Sequence, residues 1–171
     1  MASKRTKPYF YVNQCAMTAL KVHDKYFVPF LSEETIQQKI KAVANTISLE
    51  YQGKRPLFIA ILNGSFMFAA DLFKHISGEA EICFIKLASY KGTRSTGHVI
   101  TAIGLDTDVT GRDIVIVEDI IDTGKTLHNF LPQLYNQHPA SVKIAVLLHK
   151  PEATVYLLTY IIAVFPYPIN L

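Results

Sequence analysis

The chain has 171 residues, enough for one domain with a sizeable core, and 50% of them are hydrophobic while 18% are charged. This composition excludes a disordered chain. The formal net charge is only +3, and the basic residues are scattered along the chain, so nothing favours binding to nucleic acid. Cys15 and Cys83 are too few for a disulfide framework, and no apolar stretch of signal-peptide length follows the basic N-terminus, so a cytoplasmic location is expected.

Helices and strands are predicted to alternate along the chain. Ser32 and the two acids after it are typical of a helix start, and apolar residues at helical spacing predict a helix over about 33–51. The apolar run 57–62 predicts a buried strand, and 65–76 returns to helical spacing. Strands are predicted for 81–90, 98–105, 113–120 and 142–148. A helix is predicted to begin near Lys125, and Pro132 is expected to kink it or stop it early.

This alternation predicts an α/β fold in which a mainly parallel sheet is flanked by helices on both faces. Ligands bind such sheets beyond the carboxyl ends of the strands. We therefore expect the chemistry in the loops that follow Leu62, Tyr90, Ile120 and Leu148.

The junction between the predicted strand 113–120 and the next helix has the features of a phosphate site. A helix N-terminus offers free N–H groups and a positive dipole end, Gly124 permits close approach, and Thr123 and Thr126 add hydroxyls. Glu118 and Asp119 would repel phosphate unless they hold sugar hydroxyls or a magnesium ion.

Two other interpretations of this junction are weaker. A nucleotide-binding P-loop ending in Gly124-Lys125-Thr126 requires a glycine five positions before Gly124, where this chain has Asp119. A merely solvated strand end would not account for three acids, with Asp122 as the third, beside a turn rich in glycine and threonine.

The segment Val117–Thr126 resembles the phosphoribosyl pyrophosphate-binding signature of the type I phosphoribosyltransferases, and is most similar to the hypoxanthine-guanine branch. The resemblance implies that Glu118 and Asp119 hold the ribose hydroxyls and assist Mg²⁺. It implies that Asp122 is the general base near purine N7. It also implies a binding site for the 5-phosphate at Thr123, Gly124, Lys125 and Thr126.

Three further segments are similar to the same family. The loop containing Asn63 and Gly64 resembles its pyrophosphate loop, in which a non-proline cis peptide directs backbone donors at the leaving group, although members often have lysine where Asn63 stands. Ser89 and Tyr90, with residues 91–97, resemble its mobile lid, which excludes water on closing. Lys150 matches the lysine that contacts the purine 6-oxo group.

The resemblance divides the chain into three segments. Residues 1–16 are expected to be a disordered extension, residues 17–153 the phosphoribosyltransferase domain, and residues 154–171 an atypical apolar tail. The tail has no acid and no arginine where the family has an aspartate for magnesium and an arginine for pyrophosphate. It is interpreted as a truncated or frame-shifted end that damages the base-binding half of the site. Because prolines interrupt this short stretch, no membrane span is expected.

The implied function is purine salvage: hypoxanthine or guanine and phosphoribosyl pyrophosphate are converted to IMP or GMP and pyrophosphate. The family also implies a homodimer or homotetramer. One alternative is a catalytically impaired or regulatory phosphoribosyl-binding protein on the same fold. A relative that uses adenine or orotate is disfavoured by Ile120, Ile121 and Lys150.

Overall fold

The structure is a computed structural model that describes residues 19–90, 99–156, 158 and 161–166. The chain forms two compact units, which divide between residues 36 and 37. The first unit contains an antiparallel hairpin of β1 (Leu20–Val22) and β2 (Lys25–Phe27). The expected extension of residues 1–16 lies outside the described residues.

The helix α1 (Glu33–Glu50) begins as the sequence predicts. The backbone N–H of Thr35 donates to Ser32 Oγ at 3.2 Å, so Ser32 caps the first turn. The remaining elements are β3 (Leu57–Leu62), α2 (Phe66–Phe73), β4 (Glu81–Tyr90), β5 (Val99–Ile103), β6 (Asp113–Ile121), α3 (Lys125–Tyr135), β7 (Ser141–His149) and β8 (Ile161–Pro166).

In the described part of the chain, the main sheet has six strands in the order β5-β4-β3-β6-β7-β8. The five neighbouring strands β4, β3, β6, β7 and β8 pair in parallel, and β5 pairs with β4 as an antiparallel edge strand. The predicted mainly parallel sheet is therefore confirmed. Parallel strands place the loops after β3, β4, β6 and β7 at one edge of the sheet, where the chemistry was expected.

Helices cover both faces of the sheet. On one face, the ring of Phe73 in α2 meets the ring of Phe58 edge-on at 5.5 Å, and Gln37 Nε2 of α1 donates to Asp71 of α2 at 2.7 Å. On the other face, α3 contributes to a buried core with alternate strand residues such as Leu57, Ile59, Ile114 and Ile116, to which it adds Leu127, Phe130, Leu131 and Leu134.

Two elements of the structure were not predicted, the hairpin β1–β2 and the strand β8. Pro132 lies inside α3, and the helix ends three residues after it, at Tyr135. In the apolar tail, Val164 and Phe165 are buried where β8 pairs with β7. Among the described residues, no helix combines the length and apolar character that crossing a membrane requires.

Candidate active site

The β6–α3 junction forms an exposed loop around a small cavity. Gly124 has a φ of 80°, a left-handed conformation that favours glycine, and it directly precedes the first turn of α3. The backbone N–H of Lys125 donates to Thr123 Oγ1 at 3.3 Å. A cavity of ≈ 110 Å³ is lined by this loop, from Asp122 to Leu127, and by Glu118. The predicted phosphate-binding residues are thus together at a helix N-terminus.

Glu118 and Asp119 point to opposite faces of the sheet, because successive residues of a strand alternate. Glu118 lines the cavity on the α3 side. Burial, and secondly the negative charge of Asp119, raises the pKa of Glu118 from 4.5 to about 8. A cation bound beside it would favour its ionised form. Asp119 Oδ1 accepts a hydrogen bond from the N–H of Ile120 at 2.9 Å.

The loop between β3 and α2 lies against Asp119. The peptide bond between Leu62 and Asn63 is cis, within the loop for which the family resemblance implies a non-proline cis peptide. A Cβ atom at Gly64 would lie 2.5 Å from Asp119 Cγ, so no larger residue fits there without a shift. Ser65 is buried and its hydroxyl donates to the carbonyl of Ile61 at 2.6 Å. The two predicted loops are therefore in direct proximity.

Lys150 lies beside the proposed general base. Its Nζ is 3.8 Å from Asp122 Oδ1, and its side chain is 17% exposed whereas that of Asp122 is 56% exposed. Its backbone N–H donates to the carbonyl of Ile121 at 2.9 Å. The predicted purine-contacting lysine and the predicted base thus face each other across the ends of β6 and β7.

The segment after β7 contacts this site in a way that the sequence analysis missed. The Thr154 hydroxyl can donate to the carbonyl of Lys150 (2.9 Å) or of Asp122 (3.0 Å), and it lies 3.1 Å from His149 Nε2. Burial lowers the pKa of His149. The backbone N–H of Tyr156 donates to the carbonyl of Thr123 at 3.2 Å. No local motif signals the contacts of Thr154 with Asp122 and of Tyr156 with Thr123, since they join distant positions in the chain.

Some of the predicted site residues are only partly described. Ser89 and Tyr90 belong to β4, next to β5, and nothing is described of their side chains. Residues 91–97 of the expected lid lie outside the described residues. Within the described ranges, no group of three or more His, Cys, Asp or Glu side chains is placed to hold a metal ion.

A larger cavity of ≈ 780 Å³ lies at the opposite edge of the sheet, near the end of α1 and the start of β4. Its basic residues are already engaged: Lys54 Nζ is 3.2 Å from Asp113 and Arg55 Nε is 2.9 Å from Glu81. None of the predicted site residues lines it, so volume alone does not identify the active site.

The chain is similar to known proteins in both sequence and fold. Residues 30–168 match the family model described as "Phosphoribosyl transferase domain". A hypoxanthine-guanine phosphoribosyltransferase of Lactococcus lactis is 48% identical over 126 residues, which cover 73% of this chain and 68% of that protein. One from Bacillus subtilis is 46% identical over 124 residues, covering 71% and 68%. The crystal structure of a hypoxanthine-guanine phosphoribosyltransferase from Bacillus anthracis superposes with a TM-score of 0.71 and 38% identity, covering 80% of this chain and 79% of that one.

Proposed function

Since the chain belongs to the phosphoribosyltransferase family, we propose that it is a purine salvage enzyme that converts hypoxanthine or guanine and phosphoribosyl pyrophosphate to IMP or GMP and pyrophosphate. The family predicted from Val117–Thr126 is confirmed by these relatives. The observation that best supports the activity is the meeting of three segments at one sheet edge: the β6–α3 loop, the β3–α2 loop and Lys150.

The β6–α3 loop is proposed to bind the 5-phosphate of the substrate. The first turn of α3 presents backbone N–H groups, and the side chains of Thr123, Lys125 and Thr126 are exposed around Gly124. Phosphate at this position meets hydroxyl donors, the positive end of the helix dipole and a lysine charge. These contacts hold the sugar in place before any bond changes.

Asp122 and Lys150 are proposed to act on the purine. Asp122 would accept the proton of N7 as the glycosidic bond forms, and Lys150 would donate a hydrogen bond to the 6-oxo group. In the structure their charged groups are 3.8 Å apart, close enough to contact neighbouring atoms of one bicyclic base. A bound purine would replace the contact between Asp122 and Lys150 by one contact between each of these side chains and the base.

Glu118 and Asp119 are proposed to hold the ribose hydroxyls and, with the substrate diphosphate, Mg²⁺. Carboxylate oxygens are ligands that a hard cation prefers, and a cation beside Glu118 would offset the burial, and secondly the charge of Asp119, that raise its pKa to about 8. When bound, the ion would neutralise charge on the leaving pyrophosphate.

Asn63 and Gly64 are proposed to receive the pyrophosphate, and Ser89 and Tyr90 to begin the lid that covers it. Because Gly64 has no Cβ, the Asp119 carboxylate can lie directly against its backbone, which no larger residue would allow without a shift. Backbone donors of this loop could therefore reach a diphosphate that Asp119 also approaches through the metal ion.

A homodimer or homotetramer in the cytoplasm is proposed as the working form. Exposed large apolar side chains on α2 and the adjacent edge of the sheet support an interface: Phe66 (55%), Met67 (66%), Phe84 (41%) and Ile103 (53%). Light scattering after gel filtration tests this: Phe66→Asp should shift the mass to a monomer, and Leu49→Asp, at a residue that is also exposed, should not.

The reaction is tested by measuring pyrophosphate release from phosphoribosyl pyrophosphate and Mg²⁺ with hypoxanthine, guanine, xanthine or adenine supplied singly. Turnover with hypoxanthine or guanine is expected, and Asp122→Asn should lose it. Asp106→Asn is the matched control, since Asp106 is an exposed acid on a different loop. If no base gives pyrophosphate release but phosphoribosyl pyrophosphate still raises the melting temperature, the binding-protein alternative is supported, which the comparisons do not favour.

A further inference from the structure

Lys86 lies on β4 level with the loop proposed to receive pyrophosphate. In the parallel pairing of β3 with β4, Leu62 is the partner of Lys86, and the cis peptide follows directly after Leu62. Paired residues of neighbouring strands project from the same face of a sheet. Lys86 therefore projects from the face from which Leu62 also projects.

Asp119 belongs to the same row. Ala60 and Val117 form the last pair between β3 and β6, and continuing the same register by two residues would bring Leu62 level with Asp119. Strands lie ~4.8 Å apart, which puts the Cα atoms of Lys86 and Asp119 about 10 Å from each other across the row. The Asn63–Gly64 loop stands over the gap, with Gly64 against the Asp119 carboxylate.

Binding a diphosphate at this position requires a nearby positive charge. Asn63 is neutral and Asp119 is acidic, whereas a diphosphate carries several negative charges. Lys86 is exposed, and its ammonium makes no hydrogen bond or ion pair within the part of the chain that the structure describes. Among the described residues near the site, Lys125 follows β6 and Lys150 follows β7, whereas Lys86 lies on β4, on the other side of β3.

We propose that Lys86 contacts the diphosphate of phosphoribosyl pyrophosphate and stabilises the pyrophosphate that leaves. This inference rests on the proposed function and adds a residue to it. In the transfer, the bond between sugar C1 and the diphosphate oxygen breaks, and its electron pair stays on that oxygen. The purine nitrogen forms the new bond to C1, and the purine proton passes to Asp122. The ammonium of Lys86 therefore meets more negative charge after the bond breaks than before.

The test measures binding of inorganic pyrophosphate in the presence of Mg²⁺ by calorimetry, for the wild-type protein, Lys86→Met and Lys86→Arg. Lys41→Met is the matched control, because Lys41 is an exposed lysine on α1. A charge-assisted contact predicts about 10- to 100-fold weaker binding for Lys86→Met, near-normal binding for Lys86→Arg and no change for Lys41→Met. In steady-state assays the KM for phosphoribosyl pyrophosphate should rise while that for hypoxanthine stays constant.

A rescue variant separates a direct contact from a structural effect. Asn63→Lys in the Lys86→Met background restores a positive charge to the loop, and pyrophosphate binding should recover. If Lys86→Met and Lys41→Met bind pyrophosphate with equal affinity while the wild-type protein catalyses the reaction, the role of Lys86 is refuted and the proposed function is not. Wild-type protein that binds no pyrophosphate would overturn both proposals. Lys86-dependent binding without turnover would support Lys86 and refute the proposed enzyme.

Discussion

Replacing Glu118 by glutamine should change how the stability of the protein depends on pH. Burial, followed by the charge of Asp119, raises the pKa of Glu118 from 4.5 to about 8 in the folded protein. Between ~4.5 and ~8 the folded state therefore holds a proton that the unfolded chain has lost, so the free energy of unfolding falls as the pH rises through this window. Glutamine has no such proton to lose.

The size of the effect follows from the same shift. The difference between 4.5 and about 8, at about 1.4 kcal/mol for each pH unit, gives up to about 5 kcal/mol of destabilisation above pH 8 relative to pH 4. For a domain of this length, about 5 kcal/mol corresponds to roughly 10 to 20 °C in melting temperature. Glu118→Gln should remove most of this loss.

Thermal unfolding followed by circular dichroism at pH values from 5 to 8.5, without divalent ions, measures the effect. Because other groups titrate in the same range, the informative quantity is the difference in melting temperature between the wild-type protein and Glu118→Gln at each pH. Glu152→Gln is the matched control, since Glu152 is an exposed acid. If the melting temperatures of the wild-type protein and Glu118→Gln depend on pH in the same way, the argument that burial keeps Glu118 protonated is refuted.

The remaining predictions concern activity and the tail. Asp122→Asn should lower kcat by at least about 100-fold while substrate-induced stabilisation persists, as judged by kinetics and melting. Gly64→Ala should reduce pyrophosphate affinity about tenfold or more, because its Cβ would displace the Asp119 carboxylate; calorimetry measures this. Lys150→Met should raise the KM for hypoxanthine about tenfold and leave that for phosphoribosyl pyrophosphate unchanged. Phe165→Ala should cost about 3–5 kcal/mol in urea unfolding, since Phe165 is fully buried.

Most of the sheet could be predicted because its strands are continuous apolar runs bounded by turns or prolines. The bounds of β3 and β4 match the predicted ones, and α1 begins directly after its predicted cap at Ser32. The strands β1 and β2 have three residues each, which is too short for an alternation pattern to be recognised. β8 was missed because the whole segment around it is apolar and therefore has no contrast that marks its ends.

The candidate site could be predicted in its residues but not in its contacts. The β6–α3 loop is local, so its glycine, hydroxyls and acids can be recognised from adjacent positions. The proximity of Gly64 to Asp119 and the contacts of Thr154 with the loop join distant parts of the chain. They depend on strand order and register, which a single sequence does not specify.

The alternation of β6 also explains how two adjacent acids can serve different parts of one substrate. Glu118 lines the cavity beside α3, whereas Asp119 meets the Gly64 loop on the α2 side. In the proposed reaction the 5-phosphate lies on the first side and the pyrophosphate on the second. The sugar that joins them must therefore cross the end of β6. A one-residue insertion before Glu118 would reverse both side chains at once, so the order Glu-Asp is as important to the site as the two charges themselves.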